Sequence, residues 1–125
     1  RSLNSNIRFI KLDLEGGEFD ALRGACQVMA HHHPLIVLEN GRATAAETYG
    51  YDSDSWFELF VETGYTIFDL FGRPFSDDCW TTPKTPWYFI AAKRPQDLDF
   101  IKLQLPHGIS LLEEACRAGL RARGV

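Results

Sequence analysis

Cysteine is scarce and odd in number: Cys26, Cys79 and Cys116 are the three thiols of the 125 residues. Such widely spaced thiols make no disulfide framework, and their spacing fits neither a zinc centre nor a redox motif. They read as ordinary thiols of a reducing, cytoplasmic compartment. Positive charge is in deficit as well, with 13 Lys and Arg against 17 Asp and Glu and a formal net charge of −4. A nucleic-acid binder needs a concentrated basic face, so this balance argues against that class. Long apolar runs are missing too: Asp, Glu, Arg or Gly interrupts every stretch well before the ~20 residues of a membrane-spanning helix. The opening residues Arg1-Ser2-Leu3-Asn4-Ser5-Asn6 hold no apolar segment of a secretory leader. They also lack an initiating Met, which leads us to expect a piece of a longer protein.

What remains is the composition of a globular domain. At 45% hydrophobic and 13% aromatic residues the chain is too apolar for disorder. Its length suits a single domain that buries about two-thirds of its unfolded surface.

Apolar periodicity predicts the elements. Ile7–Leu14 reads as a well-buried strand that stops at the pair Gly16-Gly17. Phe19, Leu22, Cys26 and Met29 recur three and four apart and predict one helix from Glu18 to about Ala30, closed by Pro34. Leu35–Glu39 is a second strand, and the polar stretch from Asn40 to Asp54 reads as a loop. Ser53 or Asp54 is placed to cap a helix over Ser55–Thr63, and Gly64 to end it. Tyr65–Leu70 and Trp87–Ala92 are further strands, separated by the turn-rich Phe71–Pro86; a last helix spans Ile109 to Ala122. Alternating strands and helices predict an α/β fold with a mostly parallel sheet, its last strand antiparallel, and flanking helices.

Chemistry concentrates in Lys11-Leu12-Asp13-Leu14-Glu15-Gly16-Gly17-Glu18. Ligands of open α/β sheets sit beyond the carboxyl ends of the strands, where Asp13 stands. Lys11 and Asp13 share one side of the strand by alternation, so Lys11 can partner an acid there. Glu15 and Glu18 have a plain structural use, because acids favour the positive end of a helix. Glu39 repeats the pattern of an acid at a strand end. The triplet His31-His32-His33 cannot converge on one metal ion, since consecutive helical residues point about 100° apart. Trp80, in the turn-rich segment, either faces a ligand pocket or packs.

The run Phe9-Ile10-Lys11-Leu12-Asp13-Leu14-Glu15-Gly16-Gly17-Glu18, continuing through Leu22-Arg23-Gly24-Ala25, resembles the signature of FkbM-type S-adenosylmethionine-dependent methyltransferases. Pro34–Glu39 is similar to the following strand of that family, and Gly64-Tyr65 with Phe68-Asp69-Leu70 and Gly72 to its later helix–strand–turn. The resemblance runs from about Ile7 to Lys93. It implies a partial Rossmann-like class I methyltransferase fold: the fourth and fifth parallel strands, then the sixth and an antiparallel seventh. Residues 1–94 would form the carboxyl half of that domain and 95–125 a helical extension.

Class I methyltransferases hold S-adenosylmethionine on a glycine-rich turn after their first strand, and Gly16-Gly17 lacks that Gly-x-Gly spacing and follows a different strand. The chain is therefore expected to lack the main cofactor motif, to be inactive alone, and to form the wall that faces a small-molecule acceptor. The implied activity is methylation of a hydroxyl on a sugar or polyketide-like metabolite. Asp13 is the first catalytic candidate and the one possible cofactor contact, near the sulfonium or the acceptor. Glu15, Glu18 and Glu39 are second candidates as proton acceptors. No metal is expected. The alternatives are a non-catalytic binding or assembly module, and half of a sugar-nucleotide enzyme, which would leave Leu22-Arg23-Gly24-Ala25 unexplained. In the class I arrangement the strand Ile7–Leu14 pairs with a first strand not found in this chain. Its bare apolar edge is expected to recruit a second copy, burying Phe9 and Ile10.

Overall fold

A computed structural model describes residues 5–82 and 84–124. Four strands, β1 (Phe9–Leu12), β2 (Leu35–Glu39), β3 (Thr66–Asp69) and β4 (Tyr88–Ala92), form one sheet in the order β1-β2-β4-β3. β1 and β2 are parallel, while β4 runs against both β2 and β3. The α/β class and the antiparallel last strand agree with the sequence. The sheet itself is mixed rather than mostly parallel, because the one reversed strand sits between two others and makes two of the three ladders antiparallel. The arrangement is compatible with a partial methyltransferase fold.

Strand alternation sorts the core into two faces. On one face, Ile10 and Leu12 of β1 and Ile36 and Leu38 of β2 pack with Ile67, Phe89 and Ala91 under the helices α1 (Glu18–Gly24), α2 (Cys26–His32), α3 (Arg42–Tyr49) and α4 (Ser53–Thr63). Phe19, Leu22, Met29, Trp56 and Phe60 are their buried contributions. On the other face, Phe68, Ile90 and Ala92 meet Ile101, and Leu35, Val37, Leu98 and Leu105 pack partly against them. These last contacts come from a helical run: α5 (Pro95–Asp99), a π-helical turn (Phe100–Gln104) and α6 (Leu105–Ala122). Among the described residues no helix is long and apolar enough to cross a membrane.

Several boundaries differ from the pattern reading. β1 is a four-residue edge strand rather than a well-buried one, because it has a neighbour on one side only and Phe9 remains 55% exposed. The helix expected over Glu18–Ala30 breaks at Ala25, next to Gly24, the weakest helix former of the run. The expected loop Asn40–Asp54 holds α3. Asp52, not Ser53 or Asp54, caps α4, its side chain accepting the Ser55 backbone N–H at 2.8 Å. Gly64 closes α4 in the left-handed conformation, as expected. The last helix begins well before Ile109.

Candidate functional site

β1 and β2 are in parallel register with Leu12 opposite Leu38, so the residues that follow, Asp13 and Glu39, emerge side by side at the carboxyl end of the sheet. Their carboxyl groups are close enough that each shifts the other's proton affinity. Lys11 Nζ sits 2.9 Å from Asp13 Oδ2, as alternation along the strand required. That ammonium, by hydrogen bond and then by charge, holds the Asp13 carboxyl below the usual range. Glu39 is shifted the opposite way. Desolvation first, then the bond to Asp13 and the negative charges of Asp13, Glu15 and Glu18, hold its carboxyl above the usual range. Of the two carboxyls, Glu39 is therefore the one that takes up a proton first as pH falls.

The turn after β1 is built by Glu18. Its buried carboxylate accepts the backbone N–H of Leu14 at 2.6 Å and of Gly16 at 3.0 Å, one bond to each oxygen. This charge sits in the first turn of α1, where the helix dipole favours an acid. The same bonds hold Glu15 at φ 56° and Gly16 at φ 113°, so only a glycine fits comfortably at the second position. Tyr49, at the end of α3, closes the turn from outside by donating its hydroxyl to the Glu15 carbonyl at 2.7 Å.

α3 is fixed by a second network. The Asn40 N–H donates to the Trp87 carbonyl at 2.7 Å, its Nδ2 to the Tyr51 hydroxyl at 3.0 Å, and its Oδ1 accepts the Arg42 N–H at 2.6 Å. Arg42, nearly buried and at φ 52°, spans to the opposite loop, where Nη1 donates to the carbonyls of Thr85 and Pro86 at 2.6 and 3.0 Å. These bonds bring Trp87 beside the strand ends.

Between the turn, α3 and Trp87 lies a cavity of about 260 Å³, lined by Glu15, Gly16, Glu18, Glu39, Gly41, Thr44, Ala45, Thr48, Tyr49 and Trp87. Three of the four carboxylates nominated from the sequence thus line one cavity. Asp13 is not in its wall and meets it through Glu39. Thr44, Tyr49 and Trp87 were not foreseen. The signal was Ala45, Ala46 and Tyr49 at helical spacing in a stretch of good helix formers. Trp80 takes the packing alternative: it is buried, with ring centroids 5.9–6.4 Å from Phe57, Trp56, Phe75 and Tyr51.

Gly16 and Gly17 leave no open space for a ligand against their backbone. A Cβ at Gly16 would collide with the Tyr49 ring, so the space there is already filled by protein, and at Gly17 the nearest neighbours are atoms of Leu14. Among the described residues no group of three or more His, Cys, Asp or Glu side chains is placed to hold a metal ion. His31 to His33 close α2, with His33 left-handed at its end.

No curated protein and no solved structure matches the chain. A model of the methyltransferase FkbM domain matches residues 3–67, just over half of the sequence. The match includes the whole β1 turn, β2 and the helices that frame the cavity, while residues 68–93, also read as similar, lie outside it. On that match the protein belongs to the FkbM methyltransferase family.

Proposed function

We propose that this protein is an S-adenosylmethionine-dependent O-methyltransferase for a hydroxyl of a sugar or polyketide-like metabolite, and that this chain forms the acceptor-facing wall of its site. The carrying observation is the carboxyl pair Asp13–Glu39 at the ends of two adjacent parallel strands, with Lys11 bound to Asp13. An acceptor hydroxyl in the cavity hydrogen-bonds Glu39, and the ionised Glu39 takes its proton as the oxygen becomes nucleophilic. Asp13, kept ionised by Lys11, orients Glu39 and places negative charge near the reacting centre. Glu15 is the second proton acceptor within reach of the cavity. Glu18 is a positioning residue, both of its oxygens being engaged by backbone N–H groups.

S-adenosylmethionine supplies the methyl group in this reading. Transfer of that kind gains chiefly from positioning and electrostatics, and these residues contribute both on the acceptor side. In this reading the main cofactor contacts are made by other residues of the enzyme and the chain alone is inactive; the Tyr49 ring filling the space at Gly16 supports it. The free thiols Cys26, Cys79 and Cys116 suit a cytoplasmic site of action.

Calorimetric titration of the folded chain with S-adenosylhomocysteine tests the cofactor part. No heat of binding at millimolar ligand supports it, whereas micromolar binding overturns the assignment of the cofactor seat. In an active form of the enzyme, Asp13→Ala is expected to lower turnover by orders of magnitude with the fold intact. Near-normal turnover would remove Asp13 from the site.

A further inference from the structure

α6 carries an apolar stripe that outruns its own fold. Leu105 is still half-buried beside the fully buried Ile101, and the same stripe continues through Ile109, Leu112, Cys116 and Leu120 at spacings of three and four. Beyond Ile109 nothing among the described residues covers it: Leu112 is 67% and Leu120 51% exposed. The helix also contains Gly108 and Gly119, which weaken it when it stands alone in water.

We propose that this stripe is a homodimer interface, in which α6 packs antiparallel against α6 of a second copy about a two-fold axis near Ala115. Charge selects that partner. Along one flank Glu113 precedes Arg117, the two lying 4.0 Å apart within the chain. In an antiparallel pair like flanks face each other, so Glu113 comes opposite Arg117 of the second copy and Arg117 opposite its Glu113. A parallel pair has no such reciprocity.

The stripe is arranged for the same register. Ile109 and Leu112 lie before the axis and Cys116 and Leu120 after it, so the two-fold brings Ile109 toward Leu120 and Leu112 toward Cys116 of the second copy. The interface is isologous, the commonest symmetry of soluble homo-oligomers. A lipid surface fits less well: an interfacial helix is rich in Lys and Arg on its polar face, and here Glu113 and Glu114 balance Arg117 and Arg121.

Light scattering of the purified chain at tens of micromolar should give twice 14.2 kDa. Leu112→Glu, at an exposed position, should return the mass to that of a monomer with the circular dichroism of the sheet unchanged. Glu113→Arg should weaken the dimer roughly tenfold by opposing like charges, and Glu113→Arg with Arg117→Glu should restore it. A short bis-maleimide should join Cys116 to Cys116, as mapped by peptide mass. A monomer at all concentrations overturns the proposal, and so does a monomer that sediments with anionic vesicles. A dimer that survives Leu112→Glu but is lost with Phe9→Lys also overturns it, placing the interface at the β1 edge.

Discussion

The Tyr49 hydroxyl donates a 2.7 Å hydrogen bond to the carbonyl oxygen of Glu15, which lays its ring against the Cα of Gly16. An α3 residue thereby holds a turn of β1 that lies 34 positions earlier in the chain. Tyr49→Phe keeps the ring and loses the bond, so a cost of about 0.5–1.5 kcal/mol is expected in urea unfolding. Gly16→Ala is expected to cost more, since a side chain at φ 113° is strained and must also displace the ring. A Gly16→Ala variant as stable as the parent would show that Tyr49 does not occupy that space.

Glu18 accepts two backbone N–H bonds with two different oxygens. Glu18→Gln keeps one acceptor and turns an NH₂ group toward the other donor. A loss of about 1–3 kcal/mol follows from leaving that buried N–H without an acceptor. Amide hydrogen exchange at Leu14 and Gly16 should speed up more than exchange in β2. Unchanged exchange at both amides would detach Glu18 from the turn.

The pH dependence at the strand ends has two opposing parts. Glu39 is held above its ordinary value of 4.5, so the stability it gives is fully present below about that pH and is lost as pH rises through the folded value. Asp13 is held below its ordinary value of 3.8, so its contribution is present above that pH and is lost as pH falls further. Glu39→Gln removes the first part, while Lys11, the larger cause of the Asp13 shift, stays in place. Relative to the parent, this variant should gain stability between pH 4 and pH 7, read as a growing difference in urea midpoint. A constant difference over that range would mean that Glu39 does not share a proton with Asp13.

Gly72, at φ 78°, brings the turn after β3 against the π-helical segment, where an added Cβ would lie 2.5 Å from the Ile101 carbonyl oxygen and 3.2 Å from Pro106 Cγ. Gly72→Ala should loosen the attachment of α6 before it disturbs the sheet. Limited proteolysis should then cut first between Phe100 and Gln104. Cleavage at its parental rate there would contradict this.

β2 and the carboxylate-rich turn were legible because their signals are local: a short apolar run ended by an acid, and Gly16-Gly17 followed by an amphipathic stripe. α3 was not legible, since Ala45, Ala46 and Tyr49 make only a weak apolar stripe and the helix buries only Ala46 and Arg42. What fixes it is the bonding of Asn40 and Arg42 to the distant loop Thr85–Trp87, which no window of sequence displays. The meeting of Asp13 with Glu39 likewise depends on the register Leu12–Leu38, a tertiary fact. The partnership of Lys11 with Asp13 needed only strand alternation, and it was readable in advance.

The place of β4 between β2 and β3 sets the order in which the sheet can be assembled. β1 and β2 can pair as soon as residue 39 is made, but among the described residues β3 touches no strand other than β4. During synthesis β3 must therefore wait, with Phe68 uncovered, until residues 88–92 arrive to be inserted beside it. Closing the turn-rich stretch Phe71–Pro86 is then the step that completes the sheet, and substitutions that slow it lengthen the life of a half-built, sticky intermediate without touching the final contacts.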